Sequence, residues 1–322
     1  MTRRSSAFFS LQLLLISLLF APLVFGQKNG PEVGGAPDET PVFPQTISVT
    51  GVKIHFIEMG QGLPLLFLHG LGGSWKDWTA NLQSFCPSYQ VMAIDFPGFG
   101  DSDKPEVDYS IEWLTVMVEN FLQERKLNQI RVVGHSMGAL VALNLAARPD
   151  SRVKILTVID AVGIGDKAEF LSHALTKRIM GPDSRWESIE EVLKDEFKSM
   201  IEGFIKGQKP RTSKEFFESV PKSPFTGKPL LPMTPPVQMS ASIIDFDIGP
   251  RLSLIRQPTL ILWGAKDPIA PPQDASYLKS KIPQATVLML EGCGHSPMQE
   301  QPGRFNQEVQ KFLQAAESGS SR

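Results

Sequence analysis

Cysteine is scarce in this chain: two residues in 322, Cys86 and Cys293. That excludes a disulfide framework and a cysteine-rich zinc module, which both need several cysteines at short spacing. Excess charge of either sign is missing as well. The formal net charge is -2, and no basic stripe or arginine cluster occurs. The chain therefore lacks the electrostatic footprint of a nucleic-acid binder, and none is expected as a partner. Histidine is limited to His55, His69, His135, His173 and His295, which narrows the search for a general base. Long apolar runs are absent after Phe25, so no later stretch reads as a transmembrane helix.

The one long apolar run is at the start. Arg3 and Arg4 precede Ala7 to Phe25 (AFFSLQLLLISLLFAPLVF), and modest residues follow at Val24 to Gly26. This pattern predicts a signal peptide over 1–26, cleaved before Gln27, and a secreted or periplasmic protein. The alternative is an uncleaved anchor through residues 7–25, the only route by which membrane association follows. Residues 27–46 are rich in Gly, Pro and polar side chains and read as a flexible linker.

Beyond the linker the chain alternates. Short apolar runs stand at Ile47–Thr50, Val52–Glu58, Leu63–Leu68, Gln90–Ile94, Gln129–Val133, Ile155–Ile159, Pro258–Trp263 and Thr286–Leu290. Near-continuous apolar strands are expected of a mostly parallel sheet covered on both faces. Helical patterns lie between them. Residues 110–127 place Ile111, Leu114, Met117, Val118, Phe121 and Leu122 on one face. Residues 136–147 are small and apolar, as in a helix buried against a sheet. Residues 299–314 close the domain.

The alternation breaks from 164 to 255, where helical patterns are followed by a proline-rich stretch at 221–236. So long a connection is read as a helical cap over the strand ends. The main α/β domain is then 47–163 plus 256–315, and 316–322 is a disordered tail. Cys86 is expected at the opposite end of the sheet from Cys293, so two free thiols are predicted.

Gly134-His135-Ser136-Met137-Gly138 has the form G-x-S-x-G, directly after a strand and before a helix. That context makes Ser136 the candidate nucleophile on a tight turn. A serine needs a base. His295 lies in a Gly-rich loop after the last strand and is the candidate. His135 is expected to point away from the serine hydroxyl. The base needs an acid to orient it. Asp267 follows the strand LILW and fits the chain order Ser, Asp, His. Asp160, after the preceding strand, is the rival. The loop His69-Gly70-Leu71-Gly72-Gly73-Ser74 follows the third strand, and the backbone N–H groups of Leu71 and Met137 are the candidate oxyanion donors. Asp95 is read as a brace of its own turn. No Walker lysine and no dinucleotide fingerprint is present. With every chemical role assigned to the chain itself, no metal and no organic cofactor are expected.

These motifs resemble the α/β-hydrolase superfamily, in the branch that carries a helical cap. The likeness rests on HGLGGS at 69–74, DFPGFGDSDKP at 95–105, GHSMGA at 134–139, GAKDPIAPP at 264–272 and GCGHSPMQEQP at 292–302. It implies an α/β-hydrolase fold: a mostly parallel eight-stranded sheet flanked by helices, with an inserted cap. Haloalkane dehalogenases and epoxide hydrolases of this superfamily carry Asp at the elbow, where Ser136 stands. Epoxide hydrolases also use cap tyrosines, whereas Tyr89, Tyr109 and Tyr277 all lie outside 164–255. The resemblance implies a cofactor-independent serine hydrolase, its partner a small or medium apolar ester, cleaved through an acyl-enzyme. Hydrolysis of C–C bonds in meta-cleavage products, or of amides, thioesters or lactones, is the alternative. Met180, Met200, Phe204, Phe216, Phe217, Met233 and Met239 are candidates for a cap pocket.

Export gives the first prediction. N-terminal sequencing of the mature protein should begin at or near Gln27; Met1 on a soluble cytoplasmic product would contradict it.

Overall fold

The computed structural model describes residues 42–165 and 234–319. Its frame is one sheet of eight strands: β1 (Phe43–Val49), β2 (Val52–Met59), β3 (Leu63–Leu68), β4 (Tyr89–Ile94), β5 (Ile130–His135), β6 (Val153–Ile159), β7 (Thr259–Gly264) and β8 (Thr286–Leu290). The order across the sheet is β1-β2-β4-β3-β5-β6-β7-β8. Only the β1–β2 and β2–β4 pairs are antiparallel; every pair from β4 onward is parallel. This is the eight-stranded, mostly parallel arrangement expected from the apolar runs.

Among the described residues the α-helices are α1 (Thr79–Phe85), α2 (Ile111–Glu124), α3 (Met137–Ala146), α4 (Pro235–Asp245), α5 (Gly249–Leu252), α6 (Gln273–Lys281), α7 (Pro297–Glu300) and α8 (Pro302–Gly319). Among the described residues, no helix is long and apolar enough to cross a membrane. The strands alternate in the face they serve, as the pleat requires. Leu66 and Leu68 join a core with α2 and α3, while Leu65 and Phe67 join a second core with Trp78, Phe85 and Phe305. All six apolar residues of the predicted 110–127 face are buried, and Ser110 caps that helix by accepting the Trp113 N–H at 3.1 Å. Every residue of α3 is buried, which accounts for its uniformly small and apolar sequence.

Boundaries depart from the sequence reading at both ends. β1 begins at Phe43, inside the stretch read as linker, because Phe43 to Thr46 pair with Glu58 to His55. α8 runs to Gly319, into the segment read as a tail, where the Glu317 carboxylate accepts the Arg131 Nε–H at 2.9 Å. Most of the expected cap, 166–233, lies outside the described residues, including all of its pocket candidates except Met239. Within its described part, α4 docks on the sheet domain: Met239 and Ile243 are fully buried in the first core, and Ser242 accepts the Ile111 N–H at 2.9 Å. Both cysteines are buried, and neither is in a disulfide.

The chain leaves β3 toward β4 on one side and returns to β5 on the other. The carboxyl ends of β3 and β5 therefore flank the point where the strand order reverses, the usual crevice for a ligand in an open parallel sheet. The helix after β5 approaches β3 very closely there. A Cβ on Gly138 would overlap the backbone carbonyls of Leu68 and His69, and neither can yield as a side chain could. Gly138→Ala should therefore cost about 1–3 kcal/mol or more by overpacking. Urea unfolding measures it, and an unchanged midpoint would contradict the close approach.

Candidate active site

Four strand ends supply the site. β5 ends at His135, and Ser136 makes the turn into α3 with φ 54 and ψ -117. A non-glycine residue at positive φ is strained, and such strain collects at functional sites. The turn is held by the Ser136 N–H, which donates to the Ile159 carbonyl of β6 at 2.9 Å. A Cβ on Gly134 would overlap the Gly138 carbonyl, so glycine is required on both flanks of the turn.

His295 reaches this turn from the loop after β8. Its Nε2 lies 2.9 Å from the Ser136 Oγ, and its Nδ1 lies 2.7 Å from the Asp267 Oδ2. A carboxylate oxygen can only accept, so Nδ1 carries the hydrogen and Nε2 is free to accept from the serine hydroxyl. The other Asp267 oxygen accepts the N–H groups of Ile269 at 2.7 Å and Ala270 at 3.0 Å. Asp267 is thus buried and accepts hydrogens on both oxygens. The loops of Asp267 and His295 also interlock. The Lys266 N–H donates to the Cys293 carbonyl at 2.8 Å, and a Cβ on Gly264 would overlap the Gly294 carbonyl.

Two supports of the His295 loop escaped the sequence reading. Glu300 accepts the Gly294 N–H at 2.7 Å and the Ser296 N–H at 2.9 Å, one on each side of His295. Its only sequence signal is a glutamate four residues past Ser296, the residue at the N-cap position of α7. His135 points away from Ser136 Oγ, as expected, and donates its Nε2–H to the His295 carbonyl at 2.6 Å. Burial, and then the neighbouring His295, push its pKa down to about 3, so it stays neutral.

The loop after β3 lies against the elbow. A Cβ on Gly70 would come within 3.2 Å of the Ser136 Cβ. Leu71 follows in that loop, and Met137 is the first residue of α3, where an N–H has no acceptor within the helix. His69 fixes the loop. Its Nε2 accepts the Phe96 N–H at 3.0 Å, so its Nδ1–H donates to the Gly70 carbonyl at 2.7 Å. Burial lowers the pKa of this imidazole and keeps it neutral. Asp95 braces its turn as expected, accepting from Trp75 N–H at 2.7 Å, Asp101 N–H at 2.9 Å and His55 Nδ1 at 2.9 Å.

Asp160, the rival acid, closes β6. Its Oδ1 accepts the Gly264 N–H at 2.8 Å, and among the described residues neither nitrogen of His295 bonds to it. Two groups bring ligand-type atoms within 4.8 Å of one another: His135, Asp160 and His295, and His55, Asp95 and Asp101. Both His295 nitrogens and both Asp95 oxygens already hold protein partners. In the first group, His135 Nδ1 and Asp160 Oδ2 are buried and hold no partner among the described residues.

Residues 64–302 match the family described as alpha/beta hydrolase fold. The chain belongs to the α/β-hydrolase family. Among its relatives is Lipase 1 of Psychrobacter immobilis, 30% identical over 258 residues, covering 78% of this chain and 77% of that one. Another is the 2-hydroxy-6-oxo-6-phenylhexa-2,4-dienoate hydrolase of Comamonas testosteroni, 26% identical over 268 residues, covering 81% and 91%. A crystal structure of a putative lipase from Acinetobacter baumannii shares the fold, with a TM-score of 0.62, 24% identity and coverage of 86% and 93%. The relatives thus include a lipase and a 2-hydroxy-6-oxo-6-phenylhexa-2,4-dienoate hydrolase.

The buried neutral His135 sets an acid dependence. A histidine whose folded pKa is depressed stabilises the fold fully above its unfolded pKa, about 6.5. That stability drains away as pH falls toward about 3, because only the unfolded chain takes up the proton. Urea titrations between pH 7 and 4 should show a smaller loss for His135→Asn than for the wild type. Equal slopes would contradict a neutral, buried His135.

Proposed function

We propose that this hydrolase cleaves carboxylic esters of small or medium apolar substrates through an acyl-enzyme on Ser136. One observation carries the reading: the His295 imidazole stands between the Ser136 hydroxyl at 2.9 Å and the Asp267 carboxylate at 2.7 Å, with each ring nitrogen in the correct role. His295 takes the hydroxyl proton as Oγ attacks the ester carbonyl. Asp267 stabilises the imidazolium that forms. The carbonyl oxygen becomes an oxyanion and receives the N–H groups of Leu71 and Met137. The alcohol leaves with the proton held by His295. Water, deprotonated by His295, then attacks the acyl carbonyl and frees the acid and Ser136.

Nucleophile, base, orienting acid and oxyanion donors all come from the chain, so the cycle needs no electrophile or electron carrier from outside. The lipase relative from Psychrobacter immobilis supports ester over carbon–carbon cleavage. The segment 164–255 is assigned as a cap that shapes the substrate pocket, and residues 1–26 as an export signal.

The test is turnover of p-nitrophenyl esters of graded acyl length beside an anilide, a thioester, a lactone and a meta-cleavage product. Short to medium esters should be fastest. Asp267→Asn should keep the fold and lose about 10⁴-fold in kcat, as an acid that sets the tautomer of its histidine does. A meta-cleavage product hydrolysed faster than every ester would overturn the substrate class. Near-normal turnover in Asp267→Asn would overturn the role of that carboxylate.

A further inference from the structure

Asp160 has no task in the cycle above, yet it is fully buried at the centre of the site. It sits at φ 44, in the left-handed region, at the carboxyl end of β6. Its N–H donates to the Leu262 carbonyl at 3.2 Å, and its Oδ1 accepts the Gly264 N–H at 2.8 Å, so both ends of the residue are tied to β7. Its Oδ2 is buried and, among the described residues, receives no hydrogen. An ionised carboxylate would leave that oxygen charged, buried and unsolvated, which is strongly disfavoured. The neutral acid carries its own hydrogen and needs only an acceptor. The Asp267 carboxylate lies beside it, and the Asp267 N–H is bonded back to Gly264, the residue that Asp160 holds.

The other titratable groups around Asp160 offer no positive charge to hold it ionised. A carboxyl oxygen of Asp160 lies within 4.8 Å of ring nitrogens of His135 and His295. His135 is neutral, and His295 gives its Nδ1–H to Asp267. Glu300, from α7, and Cys293, from the loop after β8, also face it, and each would carry negative charge if ionised. Burial first, and the Asp267 carboxylate second, hold the Asp160 pKa well above the aspartate range.

We propose that Asp160 is a positioning residue, present as the neutral acid, whose O–H is donated to the Asp267 carboxylate and fixes it against the His295 imidazole. This rests on the serine-hydrolase reading. Its consequence is that the site holds one negative charge on two neighbouring carboxyl groups. Asp267 is then held from three directions, by the backbone of its own turn, by His295 and by Asp160.

Two substitutions test it. Asparagine accepts φ 44, keeps an acceptor for the Gly264 N–H and offers its own N–H to Asp267, so it reproduces the neutral acid. Glycine accepts the same φ and offers nothing. Asp160→Asn should keep kcat within about threefold of wild type, since the hydrogen bond to Asp267 survives. Asp160→Gly should lose about 10- to 100-fold in kcat with KM little changed, the loss of one hydrogen bond to a charged group.

A second readout does not depend on activity. A carboxyl whose folded pKa is raised stabilises the fold below its unfolded pKa, about 3.9, and loses that contribution as pH rises through the folded value. Asp160→Asn carries no such proton. Its Tm relative to wild type should therefore rise as pH is taken from 4 to 8. The proposal is overturned if Asp160→Asn is as impaired as Asp160→Gly, or if the Tm difference is flat or falls with pH. Failure of the underlying reading looks different: Ser136→Ala would then turn over esters normally.

Discussion

The close approach of α3 to the ends of β3 and β5 is the constraint on which this site depends. The chain must pass from strand to helix within one residue. It does so at Ser136, with the residue in a conformation that L side chains rarely adopt. Gly134 and Gly138 make this geometry sterically feasible, since any Cβ there would strike backbone rather than a movable side chain. The outcome is a hydroxyl at the tip of a rigid turn, beside the loop of Leu71 and at the positive end of a helix. Side chains from β7 and β8 then need only reach that fixed point. The mutual contact of the Asp267 and His295 loops brings them there together.

Around this frame, charge is rationed. His69 and His135 are both buried and both neutral, each held in one tautomer by backbone partners. Asp160 is pushed toward its neutral form by burial and by Asp267. Asp267 is the carboxyl group in contact with the His295 imidazole. Each neutral neighbour still has a mechanical task. His135 and Glu300 hold the His295 loop by its backbone, and His69 holds the loop of Leu71. The Ser136–His295–Asp267 contacts are thus framed by neighbours that bond to backbone rather than to one another.

Legibility in the sequence followed the range of the interactions. The strands could be read because a parallel sheet covered on both faces demands runs such as LPLLFL and TLILW. Ser136, Asp267 and His295 could be read because each follows a strand in a short motif. α1 and α6 were not read. The first is only seven residues long, and the second, QDASYLKSK, buries only Asp274, Ala275 and Leu278. The extension of β1 to Phe43 and the end of α8 at Gly319 were hidden because partners distant in the chain create them: Glu58 across the hairpin and Arg131 on β5. Glu300 and the neutral acid at Asp160 were hidden for the same reason. Their roles exist only after the loops beyond β6, β7 and β8 have come together.

The central claim is that Ser136 forms a covalent bond to substrate under the control of His295. It is tested most directly by intact-mass analysis after treatment with a fluorophosphonate, which reports on a nucleophilic serine and needs no knowledge of the natural ester. The account predicts one adduct, mapped to Ser136, absent in Ser136→Ala and formed much more slowly in His295→Ala. An unmodified wild-type protein, or an adduct that persists in Ser136→Ala, would contradict it.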